Sequence, residues 1–298
     1  MPLSGNAGLV GTFEAQRRQV AIRGRIIAAA MLLALGILLA VSAQQSEFLE
    51  GDYGDAPLAR VASFLQRMNP HLSAAKLFAG SPAPGSLAYW FYAFPKWLRA
   101  LWTSIEMAVL ATVIGGVFAF AMSLVMARTV TRHVVIRQIA RLLPNMVRTM
   151  PAFILAMLLV PAVGPGAVAG TLALTLICFT GLARPFADIL ENADTGPMES
   201  VRAAGGGRMA QIRYGLVPLV APNMLSYVFA WVEINVSIST ALGIVGTGGI
   251  GQELANALAY NQYDSYLAMM LMIAVVIIAT DLSSEAVRHR FFGLELAR

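Results

Sequence analysis

The chain has 298 residues, 58% of them hydrophobic and 12% charged, with a mean hydropathy of +0.69. A soluble domain carries about 25% charged residues, so the composition excludes a fold solvated by water alone and points to a bilayer. The net charge of +5 does not indicate nucleic acid, because the basic residues sit in loops between apolar runs rather than in one patch. Cys178 is a single cysteine inside an apolar run, which excludes an intramolecular disulfide and a thiolate metal site. His71, His133 and His289 lack metal-ligand spacing, so no metal site is expected, and no nucleophile–base constellation stands out.

In chain order, a tail over 1–25 leads into a first apolar run at Ile26–Ala43. Further runs follow at Thr103–Met126, Thr149–Val163, Ala167–Ala183, Leu216–Leu242 and Ser265–Leu282, and a tail closes the chain over 291–298. Each approaches the ~20 residues that cross a hydrocarbon core, which predicts an all-α integral membrane protein with six spans. Spans three, four and six are short for lipid-facing helices and are expected to pack against neighbours. Arg17, Arg18, Arg23 and Arg25 precede span one, and Arg128, Arg132, Arg137, Arg141 and Arg148 separate spans two and three. Arg184, Arg202, Arg208 and Arg213 separate four and five, and Arg288 and Arg290 follow six. The positive-inside rule then places both termini in the cytoplasm of a bacterial inner membrane. The basic flank and Val41-Ser42-Ala43 also fit a cleavable signal peptide, which would leave the other five spans unchanged.

The segment from 44 to 96 is the least membrane-like. Leu58, Val61, Ala62, Leu65 and Met68 recur at helical spacing, which predicts a short amphipathic helix on the membrane, on the bundle or against a partner. Tyr89, Trp90, Phe91, Tyr92, Phe94, Trp97 and Trp102 form an expected interfacial aromatic belt entering span two.

The loop between spans four and five, 184–215, carries the strongest functional signal. It reads Glu199-Ser200-Val201-Arg202-Ala203-Ala204-Gly205, with Pro218 thirteen positions further on. This resembles the ATPase-coupling loop of ABC-importer permeases, a Glu-Ala-Ala segment followed by glycine and later by Leu-Pro. Ser200 and Val201 replace the two alanines, and Val217 the leucine. Arg148-Thr-Met-Pro151, Ala162-Val-Gly-Pro-Gly166, Tyr214-Gly-Leu-Val-Pro218, the run from Leu242 to Glu253 and Gln262-Tyr-Asp264 resemble the phosphonate-uptake branch. Methionine-type importers carry a similar glycine run.

The resemblance, over about 97–290, implies a type I ABC-importer permease fold with cytoplasmic coupling helices between spans four and five. It further implies a pore made with a second permease copy, two cytoplasmic ATPase subunits, and a periplasmic or lipid-anchored binding protein. The chain has no Walker motif, so no cofactor is expected on it, and ATP and Mg²⁺ belong to the partner ATPase. The implied cargo is phosphonate or a related phosphorus oxyanion; a phosphite, a phosphate ester or a methionine-like amino acid stays open. Phosphonate permeases commonly have arginine where this chain has Ser237, which favours a phosphite, a phosphate ester or a less charged ligand. A secondary transporter is the other class, but no internal repeat supports it.

Gly246, Gly248 and Gly251 formally match a dinucleotide fingerprint, but the motif follows a membrane span with no βαβ unit around it. A re-entrant hairpin over 243–254 is expected instead, in which Gly246, Gly248 and Gly249 either expose N–H groups to an anion or serve a structural turn. Span five carries Glu233, Asn235, Ser237, Ser239 and Thr240. Glu233, Ser237 and Thr240 share one helical face, with Asn235 and Ser239 nearly opposite. A helix polar on two sides does not face lipid on both, so these residues either line a translocation path or brace its walls.

Overall fold

The computed structural model describes residues 6–45, 57–70, 72–73, 76–78 and 84–292. Within the segment 44–96, residues 46–56, 71, 74–75 and 79–83 lie outside the described residues, as do the ends 1–5 and 293–298 and therefore most of the C-terminal tail. The side chains of 6–16, 57–58 and 288–292 lie outside them too, including Leu58, Arg288, His289 and Arg290. The described chain is α-helical, and it divides into two compact units, Met1–Phe64 and Leu65–Arg298.

The first unit holds helix α1 (Asn6–Gln45) and the start of α2 (Pro57–Met68). In α1 the stretch Arg17–Gln45 is long and apolar enough to cross a bilayer, and none of its most apolar window is buried. The second unit continues with α3 (Leu87–Trp90), α4 (Phe94–Met126), α5 (Val134–Arg148), α6 (Ala152–Val163) and α7 (Ala167–Asn192). It closes with α8 (Gly196–Ala203), α9 (Arg208–Ala210), α10 (Val217–Leu242), α11 (Gly249–Ala259) and α12 (Tyr263–Phe292). Among the described residues five helices are long and apolar enough to span, and a sixth span arises if α5 and α6, bent by 85°, count as one.

Small residues bring the central pair together. The buried stripe of α4 includes Ser104, Ala108, Ala111, Thr112, Gly115, Ala119 and Ser123, which lets its backbone approach α7 closely. A Cβ on Gly115 would lie 2.9 Å from both Cys178 Cβ and the Thr175 carbonyl. Three apolar clusters run along the bundle. Trp97, Leu101, Ile250, Leu254 and Met269 pack at one end, Met107, Leu155, Leu174 and Leu242 in the middle, and Met126, Leu182, Phe186, Leu190 and Leu216 at the other. The aromatic belt divides accordingly: Tyr89, Tyr92 and Trp102 are exposed, whereas Trp97 is buried and the Trp90 indole donates to the Asp264 carbonyl at 2.8 Å.

Several expected boundaries move. Span four does not stop at Ala183: Phe186, Ala187 and Leu190 extend the buried stripe while Arg184 and Asp188 point outward, so α7 runs to Asn192. The non-helical part of the loop 184–215 therefore shrinks to short linkers around α8. The run expected as a hairpin over 243–254 is a turn at 243–248 followed by α11, which reaches Ala259 and is about 16 Å long. The arginine-rich stretch before span three is a helix in its own right, α5.

Candidate functional site

The segment singled out between spans four and five forms α8. Gly196 N–H binds the Asp194 carboxylate at 3.0 Å, and the Ser200 hydroxyl donates to the Gly196 carbonyl at 3.1 Å. Glu199 occupies the first turn, where the helix dipole favours a carboxylate. The helix stops where Gly205 takes φ +85°, with Gly205 N–H bonded to Arg202 C=O and Gly206 N–H to Val201 C=O, both at 2.9 Å. That pair of bonds is a Schellman cap, and the positive φ is open to glycine without a Cβ penalty. Glu199, Ser200, Arg202, Ala203, Ala204 and Gly205 are exposed, while Val201 is half-buried.

Beneath α8 lies a residue that the motif did not single out. A Cβ on Gly215 would lie 2.9 Å from Met198 Cα and N and 3.0 Å from the Pro197 carbonyl. The backbone of α8 thus rests directly on a glycine at the foot of α10. A glycine in an apolar helical run costs about 1 kcal/mol against alanine, and that cost was the available signal of a packing contact. Residues 211–216 form a wide π turn, and Pro218, exposed, begins α10. Proline offers no N–H and crowds the carbonyl four residues back, which suits a widened turn at this point.

The same end of the unit is tied together by charge. Glu191, with its side chain 8% exposed, accepts from the Arg128 backbone N–H at 2.8 Å, Arg128 Nε at 3.0 Å and Arg141 at 2.6 Å. Arg141 also donates to the Met126 carbonyl at 3.2 Å, and the Thr129 hydroxyl to the Leu190 carbonyl at 3.0 Å. The Arg208 guanidinium donates to the Val130 carbonyl, and the Gln211 amide to the Gly206 carbonyl at 3.0 Å. Glu191 thereby joins the ends of α4 and α7 to the middle of α5, next to the α8 segment. Breaking a fully buried pair costs about 3–5 kcal/mol, and the solvent around the two arginines lowers that to about 1–3 kcal/mol. Glu191→Ala is expected to lower the thermal midpoint in detergent, with Glu191→Asp retaining part of it; an unchanged midpoint in the alanine variant would remove the clamp from the account.

The polar residues of α10 separate by face. Asn235 is fully buried, with Nδ2 donating to Thr112 Oγ1 at 2.8 Å and Oδ1 unpaired, and Thr112 donates to the Ala108 carbonyl at 2.7 Å. Ser239 is also buried and donates to the Val236 carbonyl. These two therefore sit inside the unit. On the other side Ser237 is exposed and Glu233, Thr240 and Ser226 are half-buried. Thr240 donates to the Val236 carbonyl, whereas Glu233 makes no hydrogen bond or ion pair with another described residue.

In the glycine turn Gly246, Gly248 and Gly249 take φ of +89°, +82° and +72°. The Gly246 carbonyl and the neighbouring Ile250 N–H are engaged within the chain. Gly166 N–H donates to the Gly246 carbonyl at 2.9 Å, and Ile250 N–H at the start of α11 donates to Ser104 Oγ at 3.0 Å. The Ile250 N–H, one of the donors that an anion would need at this helix start, is therefore already used by α4.

A family model described as "binding-protein-dependent transport system inner membrane component" matches residues 119–293. The chain is 34% identical over 226 residues to a phosphite transport system permease protein, PtxC, of Stutzerimonas stutzeri, covering 74% of this chain and 82% of that protein. It is 34% identical over 120 residues to a putative cryptic phosphonate transport system permease protein, PhnE2, of Escherichia coli K12, covering 40% of this chain and 98% of that one. Among solved structures, an inward-facing form of the MetNI methionine ABC transporter aligns with TM-score 0.58 and 20% identity, over 65% of this chain and 95% of that one. An amino acid ABC transporter aligns with TM-score 0.55 and 16% identity, over 67% of this chain and 98% of that one, and both likenesses concern the fold alone. With more than half of its length matched by that model, this multi-pass membrane chain belongs to the family of binding-protein-dependent transport system inner membrane components.

Proposed function

We propose that this chain is the permease subunit of an ATP-driven importer that carries phosphite, phosphonate or a related phosphorus oxyanion into the cell. The observation that carries the reading is the seat of α8 on Gly215: a short exposed helix rests on the foot of a long helix that carries a partly exposed polar stripe. Force applied to α8 reaches α10 without a flexible intermediary. Residues 199–205 are the surface that an ATPase subunit grips, and ATP and Mg²⁺ stay on that subunit. The end bearing Arg128, Arg141, Arg202 and Arg208 faces the cytoplasm, as its basic residues favour. The named cargo of the phosphite and phosphonate relatives supports the substrate class.

The path is lined by Ser226, Glu233, Ser237 and Thr240 and is completed by a second copy of the chain. Asn235 and Ser239 brace α10 against α4 from behind. The glycine turn acts as a rigid joint. A binding protein delivers cargo at the opposite end, and ATP-bound closure of the ATPase pair shifts the bundle between its two arrangements.

The test is purification with the cognate ATPase and reconstitution into proteoliposomes with the binding protein. ATP-dependent uptake of radiolabelled phosphite or methylphosphonate is expected. Uptake that runs on a proton gradient without ATP overturns the reading. Within this assay Glu233 is informative, because an ionised group at a span centre costs about 2.5–3.5 kcal/mol to insert. Glu233→Gln is expected to cut uptake roughly ten-fold, equivalent to about 1.4 kcal/mol, with folded yield and thermal midpoint unchanged or raised. A parallel fall in folded yield would make Glu233 a brace instead.

A further inference from the structure

Helix α5 is not used by the mechanism above, and its surface pattern is distinctive. Val135, Ile136, Ile139, Leu142, Leu143 and Met146 form one apolar face, each between 49% and 69% exposed. Ala140 and Pro144 meet the rest of the unit, and Arg141 reaches Glu191. Arg137, Gln138, Asn145 and Arg148 lie on the opposite side, with Arg132 and His133 at the entry. Apolar residues that wide, left uncovered beside a basic face, match a helix lying in a membrane interface. Helix α5 is bent 85° away from α6, so the two do not form one straight crossing helix.

We propose that α5 is an in-plane helix seated on the lipid surface at the coupling end of the permease, with Arg137 and Arg148 holding anionic lipid headgroups. The apolar face enters the acyl-chain boundary, and the long side chains of Arg137 and Arg148 reach headgroup depth from the opposite face of the helix. Charge complementarity selects the occupant, since each basic residue near an anionic leaflet contributes roughly a five-fold gain in binding. The Glu191 clamp fixes the lipid-seated helix to α4 and α7, so the bilayer surface holds the same end that carries α8. The inference rests on the cytoplasmic placement of that end proposed above.

The test is a spin-label scan of single cysteines along 134–148 in nanodiscs, with native Cys178 buried and out of reach. Oxygen accessibility should peak at 135, 139, 142 and 146, and nickel-chelate accessibility at 138 and 145, with no trend in depth from one end to the other. A steady increase in depth along the helix would mean that α5 crosses the bilayer. Exclusion of both reagents from the apolar face would mean that protein covers it. Either result overturns the proposal. A bimane at Leu142→Cys should then be quenched more by brominated phosphatidylglycerol than by brominated phosphatidylcholine. The double variant R137Q/R148Q should lose that preference, by up to roughly five-fold per arginine; equal quenching before and after overturns the headgroup assignment. The side of the membrane is read separately, since a cysteine at Gln138 should react with an impermeant maleimide in inside-out vesicles only. Reaction from outside would remove the topology while leaving the accessibility pattern intact.

Discussion

Gly251→Ala is expected to abolish accumulation of the folded permease. A Cβ at this position would stand 1.9 Å from the Thr240 carbonyl oxygen and 2.9 Å from Gly243 Cα. Both are backbone atoms, so no rotamer change relieves the overlap, and α10 and α11 must separate. Overpacking costs about 1–3 kcal/mol where side chains can yield, and here the cost lies at or above the top of that range. Gly243 faces the same joint, its own Cβ position only 2.6 Å from Gly251 Cα. Gly246 supplies the contrast. It has open space around a Cβ but φ of +89°, so alanine there meets only the left-handed penalty of about 1–2 kcal/mol. Gly207→Ala, with open space and φ of −66°, should be nearly silent. Size-exclusion profiles and thermal midpoints in detergent should rank the three as 251, 246, 207 in order of damage. Equal behaviour of Gly251→Ala and Gly207→Ala would show that α10 and α11 are not packed backbone to backbone.

That contrast also explains what the sequence made legible. Gly246, Gly248 and Gly251 look alike as a spaced motif, yet the first two serve backbone conformation and the third serves close approach. Spacing alone does not separate these roles. Hydropathy located the membrane helices well because burial in lipid is a property of long apolar runs. It placed the inner end of α7 too early, because Arg184 and Asp188 lowered the average while Ala183, Phe186, Ala187 and Leu190 kept the three-and-four spacing of a buried stripe. Periodicity was the better guide there. The same holds for α5, whose arginines mark topology while Val135, Ile139, Leu142 and Met146 trace a helical face. The bend after α5 was signalled by Pro151, since the residue before a proline is pushed out of the helical region.

For the candidate site, helical geometry separated Glu233, Ser237 and Thr240 from Asn235 and Ser239, but it did not say which side is enclosed. That is decided by Thr112 on α4, which lies 123 residues away and accepts from Asn235. Glu191 is not legible locally for the same reason. Its arginine partners lie 63 and 50 residues away, and nothing local in its sequence marks it as the junction of three helices. The ending of α8 at Gly205, by contrast, was readable from a short polar helix followed by glycines, because a Schellman cap is a local device.

Gly215→Ala is the substitution expected to separate coupling from folding. Its added Cβ would meet the backbone of Met198 and Pro197 at 2.9 to 3.0 Å, so α8 must lift from the foot of α10. The rest of the bundle does not depend on that contact: Leu216 and Val220 stay packed against Phe186 and Leu190 in the apolar cluster at this end. Alanine also raises the helix propensity of the wide turn by about 1 kcal/mol, so the folded yield should hold. Misplacement by about 1 Å costs on the order of 100-fold where reacting groups must be aligned, and a lever that must seat on α10 is held to a looser tolerance. Uptake is therefore expected to fall by at least about ten-fold, while the ATPase subunit either detaches or hydrolyses ATP without import. The readout is the number of ATP hydrolysed per phosphorus oxyanion imported in proteoliposomes, measured beside Met209→Ala, an exposed neighbour in α9. A normal ratio in Gly215→Ala would mean that α8 transmits nothing through α10, and the proposed route from ATPase to translocation path would then have to run through the Glu191 junction instead.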